Sequence, residues 1–461
     1  MKRLKQHTIW GRRGSFILAA TGSAVGLGNI WKFPYIAGEN GGAAFVLLYL
    51  ACVVLVGIPI MMAEIMLGRR GRANPITTMN NIREEAGASW FWASIGWLGV
   101  IAGFLILSYY TVIAGWTLDY FVLAQQNQFA GLDGESSNKL FDTLLADRSR
   151  LVQSHTLFMA MTALVLMFGV NKGLENVIRW TMPILFILLL VLLGYAYTTG
   201  ELLTSARFLF SFNVEDLSWN ATLIALGHAF FTLSLGMGAI MAYGAYMPST
   251  AAIGKTVVIV AVLDVIVAIL TSLFVFSVVF STPGIEASQG PGLIFVTLPV
   301  AFGSMPAGLY IGSAFFLMVI LSAWVSTISL LEPAVAYLNE RFDFHRISAC
   351  LIIAGGAWLL GLGSVLSFNE WSDQELIWGM NFRTSIDFFT ANILLPIGGL
   401  LVAIFVGWVM KAEMAKHEMQ QDSPRLFVAW RFLLRYFAPL AVLVIIVNGV
   451  YPVLSLLVVT E

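Results

Sequence analysis

Thr21-Gly22-Ser23-Ala24-Val25-Gly26-Leu27-Gly28-Asn29 and, about 210 residues later, Thr232-Leu233-Ser234-Leu235-Gly236-Met237-Gly238 decide how this chain folds. Each lies in the middle of an apolar run and sets two glycines one residue apart beside small or polar residues. Glycine costs a helix about 1 kcal/mol relative to alanine, so a close pair invites unwinding. Backbone that unwinds inside a membrane must find partners, and it does so by lining a polar cavity. There, half-helix N-termini suit a carboxylate and freed carbonyls suit a cation. Close helix packing through small residues explains one such pair; two pairs at equivalent places favour breaks. Neither stretch completes G-x-G-x-x-G after a strand, so neither is a phosphate loop.

The rest of the chain agrees. Of 461 residues, 59% are hydrophobic and 11% charged, against roughly 25% charged in soluble proteins. This excludes a water-soluble enzyme and a disordered chain. A net charge of −1 speaks against a nucleic-acid partner. Cys52 and Cys350 both lie in apolar runs and form neither a disulfide framework nor a zinc cluster. No H-E-x-x-H or G-x-S-x-G occurs, so no enzyme is expected.

A spanning helix needs about 20 apolar residues. Eleven candidates stand at 13–37, 42–68, 90–124, 155–170, 174–199, 219–247, 254–280, 305–338, 347–366, 386–410 and 430–453. The expectation is an all-α polytopic membrane protein of about eleven transmembrane helices forming a single transporter domain. Residues 13–199 and 219–410 form two five-helix repeats, unwound in the first and sixth helices, and 430–453 adds one more helix. Five being odd, the second repeat is inverted relative to the first, the pattern of secondary transporters with a midplane site. With the N-terminus in the cytoplasm and the C-terminus outside, 19 of the 25 lysines and arginines fall on the cytoplasmic side. The localisation expected is the cell membrane, and no cleavable signal peptide is expected.

Several motifs resemble the neurotransmitter:sodium symporters, in particular the prokaryotic amino-acid-transporting branch. They are Gly26-Leu27-Gly28-Asn29-Ile30-Trp31-Lys32-Phe33-Pro34, Glu39-Asn40-Gly41-Gly42, Phe230-Phe231-Thr232-Leu233-Ser234-Leu235-Gly236, Tyr109-Tyr110, Asp264, the 322–333 stretch and Asp387-Phe388. The resemblance implies a sodium-coupled symporter of neutral, mainly hydrophobic amino acids working by alternating access, as a monomer or homodimer in the lipid bilayer. The alternatives are a proton-coupled or sodium-independent transporter of the same fold, or a non-transporting sensor or channel.

Two sodium ions are implied. The first site takes Ala24, Asn29, Thr232 and Asp264, and oxygen-only ligands suit a hard cation. A fixed carboxylate at Asp264 also supplies the charge that chloride supplies in animal relatives, so chloride independence is expected. The second site takes Gly22, Val25, Ser322 and Ser326. The family's second hydroxyl is replaced here by Val325, leaving Thr327 or water to fill in.

For the substrate, the resemblance implies Ser23, Ala24, Gly26, Leu27, Gly28, Tyr110, Thr232 and Ser234 around the charged end. Ile106, Phe231, Met237, Ser326 and Leu330 surround the side chain. Gly26 brings no charge where monoamine-transporting relatives have aspartate, which favours an α-amino acid. Lys32 and Asp387 are the outer gate; Trp10, Arg13, Tyr246 and Glu340 are candidates for the inner one. Gly173 and Pro183 match a family motif that loosens the start of the fifth helix. Glu64 is an intramembrane acid and so a functional candidate, expected to bond the loosened backbone of helices one and six. His228 is either near the outer gate or simply packed.

Overall fold

A computed structural model describes residues 13–199, 201–282 and 290–459. Among the described residues there is no strand, only an isolated bridge between Ile377 and Met380. Nine helices among the described residues are long and apolar enough to cross a membrane: Ala43–Gly71, Trp90–Gln125, Arg148–Met167, Val170–Thr198, Ile253–Phe280, Gly308–Phe342, Arg346–Leu366, Phe382–Val409 and Pro424–Val450. Two more spans are broken. The first runs as Arg13–Ala24, a bend, a π-helical turn Gly28–Lys32 and Phe33–Glu39. The sixth runs as Trp219–Thr232 and Ala239–Tyr246, with turn and bend between. The protein is thus an all-α polytopic membrane protein of eleven spans, numbered below in chain order.

Where ends differ from expectation, polar caps account for it. The fourth span starts at Arg148 rather than 155, because Asp147 accepts from the Arg150 N–H and starts the helix before the apolar run. The eleventh starts at Pro424, with Ser423 accepting from the Leu426 N–H, six residues before the expected start. Proline at a first helical position costs no hydrogen bond. Short helices in the connections, among them Gly134–Ala146, Leu202–Phe210 and Thr297–Ser304, pack over the ends of the spans.

The broken spans lie at the centre. Thr21, Ser23, Asn29, Thr232 and Ser234 are all buried. The second half of the sixth span presses directly on the second. A Cβ on Gly68 would stand 1.9 Å from the Met241 carbonyl, and one on Gly244 2.6 Å from that of Ile65. Small residues permit this backbone-to-backbone approach, which fixes the inner half of the sixth span against Glu64.

Candidate functional site

In the first span, regular bonding stops where the Val25 N–H donates to Thr21 O (2.7 Å). The Asn29 side-chain oxygen Oδ1 accepts from the Gly26 N–H (3.2 Å), and the Tyr110 hydroxyl accepts from the Leu27 N–H (2.9 Å). Ser322 Oγ donates to the freed Val25 carbonyl (3.2 Å) and Ser326 Oγ lies 3.4 Å from it. The break is therefore held open by side chains of the third and eighth spans.

In the sixth span, Ser234, Gly236 and Gly238 all take left-handed backbone (φ 54°, 73° and 72°). Glycine adopts this freely; serine does so at a cost. Ser234 is held there by its Oγ, which donates to the Ser23 carbonyl (2.8 Å), tying the two breaks together. Glu64 Oε1 accepts from the Gly236 N–H (2.7 Å). The expectation is that Glu64 bonds both breaks; among the described residues its hydrogen bond goes to the sixth span alone, and Oε2 has no hydrogen-bond partner.

Between the breaks lies a small cavity lined by Ser23, Ala24, Gly26, Gly28, Ile106, Tyr110, Phe231, Thr232, Ser234, Met237, Ser326 and Leu330. This is the expected substrate set except Leu27, which lines a second, larger chamber. Its volume is about 20 Å³, room for about one water, so an amino acid enters only if the lining moves.

Beside it, Asn29, Thr232 and Asp264 converge. Asn29 Nδ2 donates to Asp264 Oδ1 (2.8 Å) and to its backbone carbonyl (3.1 Å). Thr232 Oγ1 lies 3.1 Å from both Asn29 Oδ1 and Asp264 Oδ1. Tyr49, which the sequence reading did not single out, donates its hydroxyl to Asp264 Oδ2 (3.0 Å). Only packing brings it there, 215 residues away in sequence.

The sequence matches the profile of the Sodium:neurotransmitter symporter family over residues 7–139 and 139–457. It is 35% identical over 442 residues to the uncharacterized sodium-dependent transporter YhdH of Bacillus subtilis (strain 168), covering 95% of this chain and 97% of that one. It is 24% identical over 504 residues to the sodium-dependent dopamine transporter of Bos taurus, covering 96% of this chain and 68% of that one. Among solved structures, MhsT in complex with L-phenylalanine superposes with a TM-score of 0.87 at 39% identity, covering 96% of this chain and 99% of that one. The chain belongs to the sodium:neurotransmitter symporter family. It is accordingly a sodium-dependent, multi-pass membrane transporter.

Around the second candidate ion position, Val325 fills the space against Gly22: a Cβ on Gly22 would lie 2.6 Å from Val325 Cγ1 and 3.0 Å from Met182 Sδ. Thr327 does not replace the lost hydroxyl in this symporter. Its Oγ1 is bonded to Thr162 Oγ1 and to the Trp324 carbonyl (both 2.8 Å). Met182 precedes Pro183, which sits inside the fifth helix. Gly173 lies in the turn before it, packed so closely that a Cβ would stand 1.9 Å from the Val165 carbonyl.

At one end of the symporter, a chamber of about 230 Å³ shares Gly28, Tyr110 and Phe231 with the central cavity. Lys32 and Asp387 both line it, but no ion pair joins them. Lys32 Nζ instead lies 5.1 Å over the Phe231 ring, a cation–π contact. Arg383, not expected there, lines the same chamber. His228 is packed among Phe33, Phe45 and Tyr49.

At the opposite end, Trp10 lies outside the described residues and Arg13 opens the first helix. Tyr246 donates to Glu332 Oε1 (2.8 Å). Glu332 is paired with Arg346, whose Nε donates to the Leu166 carbonyl (2.8 Å). Glu340 Oε2 accepts from the Asn74 N–H (2.9 Å) and Nδ2 (2.6 Å). Glu332 went unnoticed in the sequence, although the rule that flags Glu64, an acid inside an apolar span, applies to it equally.

Proposed function

We propose that this transporter couples sodium to the uptake of neutral, mainly hydrophobic L-amino acids by alternating access, without chloride. The observation that carries the proposal is the convergence of Asn29, Thr232 and Asp264 oxygens beside the central cavity, whose wall Thr232 joins. A sodium ion there, with the Ala24 carbonyl, would also meet the carboxylate of a bound amino acid. Because the Leu27 N–H already points at the Tyr110 oxygen, the phenol keeps its own hydrogen to donate to that carboxylate. The ammonium falls to the backbone oxygens near Thr232 and Ser234. Ile106, Phe231, Met237 and Leu330 offer the side chain an apolar bed, and Met237 adapts to several shapes. MhsT, a close structural match, was solved with L-phenylalanine, in keeping with such a substrate.

The donors around Asp264 support chloride independence. The Asn29 amide, the Thr232 hydroxyl and the Tyr49 hydroxyl all reach its carboxylate. A resident anion thus occupies the donors a chloride would need. The second ion site would use the Val25 carbonyl with Ser322 and Ser326, and Gly22. Lys32 and Asp387, with Arg383, would close the outer chamber; Tyr246, Glu340, Arg13 and Trp10 would close the inner side, with Gly173 and Pro183 allowing the fifth helix to yield. Residues 13–199 and 219–410 are the two inverted repeats, and the N-terminus is cytoplasmic.

Shared contact of ion and carboxylate makes their binding reciprocal. Purified protein in proteoliposomes should take up radiolabelled phenylalanine or leucine in sodium and not in choline, and Asn29→Ala should abolish sodium-stimulated binding. Uptake indifferent to the replacement of sodium by choline would remove the coupling. Val325, which leaves the second site one hydroxyl short, is the feature that favours a sodium-independent exchanger should that result be found.

A further inference from the structure

Where the tenth and eleventh spans meet through residues 410–423, the charges do not balance. From Lys411 to Arg435 the sequence holds five bases, Lys411, Lys416, Arg425, Arg431 and Arg435, and three acids, Glu413, Glu418 and Asp422. Two of the acids are already engaged. Glu418 holds Arg69 (2.9 Å) and Arg70 (3.4 Å) at the end of the second span. Asp422 accepts from the Gly254 and Lys255 N–H groups at the start of the seventh (3.1 and 3.4 Å).

Arg431 and Arg435 have no such partner. They stand four residues apart on the eleventh span, where like charges repel; among the described residues neither forms a salt bridge, and the third acid, Glu413, acts on Arg431 only through space. Both guanidiniums are held in place. Arg431 lies 5.9 Å over Phe427 and Arg435 4.8 Å over Trp408. Arg435 Nε donates to the Gly407 carbonyl (2.7 Å), and Trp408 Nε1 donates to the Arg435 carbonyl (3.1 Å). A guanidinium has five N–H donors; Arg435 therefore keeps four unspent. Trp408, Phe432, Tyr436 and Leu440 beside them are exposed and apolar, as suits contact with acyl chains.

We propose that Arg431 and Arg435 bind the headgroup phosphate of an anionic phospholipid beside the adjoining ends of the tenth and eleventh spans. Arginine forks match phosphate oxygens two at a time, and a phosphate between the pair cancels their mutual repulsion. The apolar face around the pair selects a lipid over free phosphate. This inference rests on the cytoplasmic placement of this end, where anionic lipids are enriched and each basic residue contributes about 1 kcal/mol. It does not rest on sodium coupling.

Native mass spectrometry of the full chain, released from vesicles of equal phosphatidylglycerol and phosphatidylcholine, tests it. Wild type should retain phosphatidylglycerol over phosphatidylcholine. Arg431→Gln should lower phosphatidylglycerol retention about fivefold, Arg431→Lys, which keeps the charge but loses the fork, should fall between wild type and Arg431→Gln, and inorganic phosphate should not displace the lipid. No preference between the two lipids in wild type, which needs no variant to fold, overturns the proposal. So does equal phosphatidylglycerol retention in wild type and Arg431→Gln, or displacement by inorganic phosphate.

Discussion

Val325 stands where the family resemblance implies a hydroxyl, and its surroundings show how the valine is accommodated. Its methyl group packs over Gly22, where the first span begins to unwind, while Ser322 and Ser326 one residue row away reach the Val25 carbonyl. A hydroxyl in place of one methyl would join them without a change of volume. Val325→Thr is therefore expected to lower the sodium concentration needed for half-maximal substrate binding, by about three- to tenfold if one added ligand is worth a typical net hydrogen bond of about 1 kcal/mol. A sodium titration of ligand binding measures this, and an unmoved midpoint would mean that no ion depends on this position.

At the scale of the elements, the second half of the broken sixth span is seated directly on the second span. Gly68 and Gly244 let the second and sixth spans touch backbone to backbone, and Glu64 from the same second span satisfies the Gly236 N–H. Adding one methyl group at Gly68 places it 1.9 Å from the Met241 carbonyl, and that carbonyl belongs to backbone that cannot swing aside. Gly68→Ala should destabilise the protein by about 1–3 kcal/mol, the usual cost of overpacking, and weaken substrate binding through displacement of Met237. A fluorescence melt in detergent should show a lower Tm; an unchanged Tm would mean that the two spans are free to part.

For the whole molecule the question is how charge is balanced during transport. Asp264 lies in the seventh span, Asn29 in the first, Thr232 in the sixth and Tyr49 in the second, so one carboxylate gathers donors from three other spans. If that carboxylate is the resident counter-charge, wild-type uptake stays the same when gluconate replaces chloride. Asp264→Asn, which removes the charge and keeps the shape, then loses uptake in gluconate and recovers part of it in chloride. Wild-type uptake that falls in gluconate would show that the donors take chloride after all.

Hydropathy and glycine placement were enough to read the eleven spans and the two breaks from the sequence, because both act through the residue and its near neighbours in the chain. An apolar run must be long enough to cross, and a glycine pair weakens the helix that contains it, whatever packs around it. The lining of the central cavity was legible through the family motifs. What the sequence left undetermined was which side chains meet. Tyr49 reaching Asp264, Tyr246 reaching Glu332, Lys32 turning to Phe231 instead of Asp387, and Thr327 turning to Thr162 all depend on the rotation and register of one helix against another. Those are set by packing among residues as many as 215 positions apart, and only the tertiary structure fixes them.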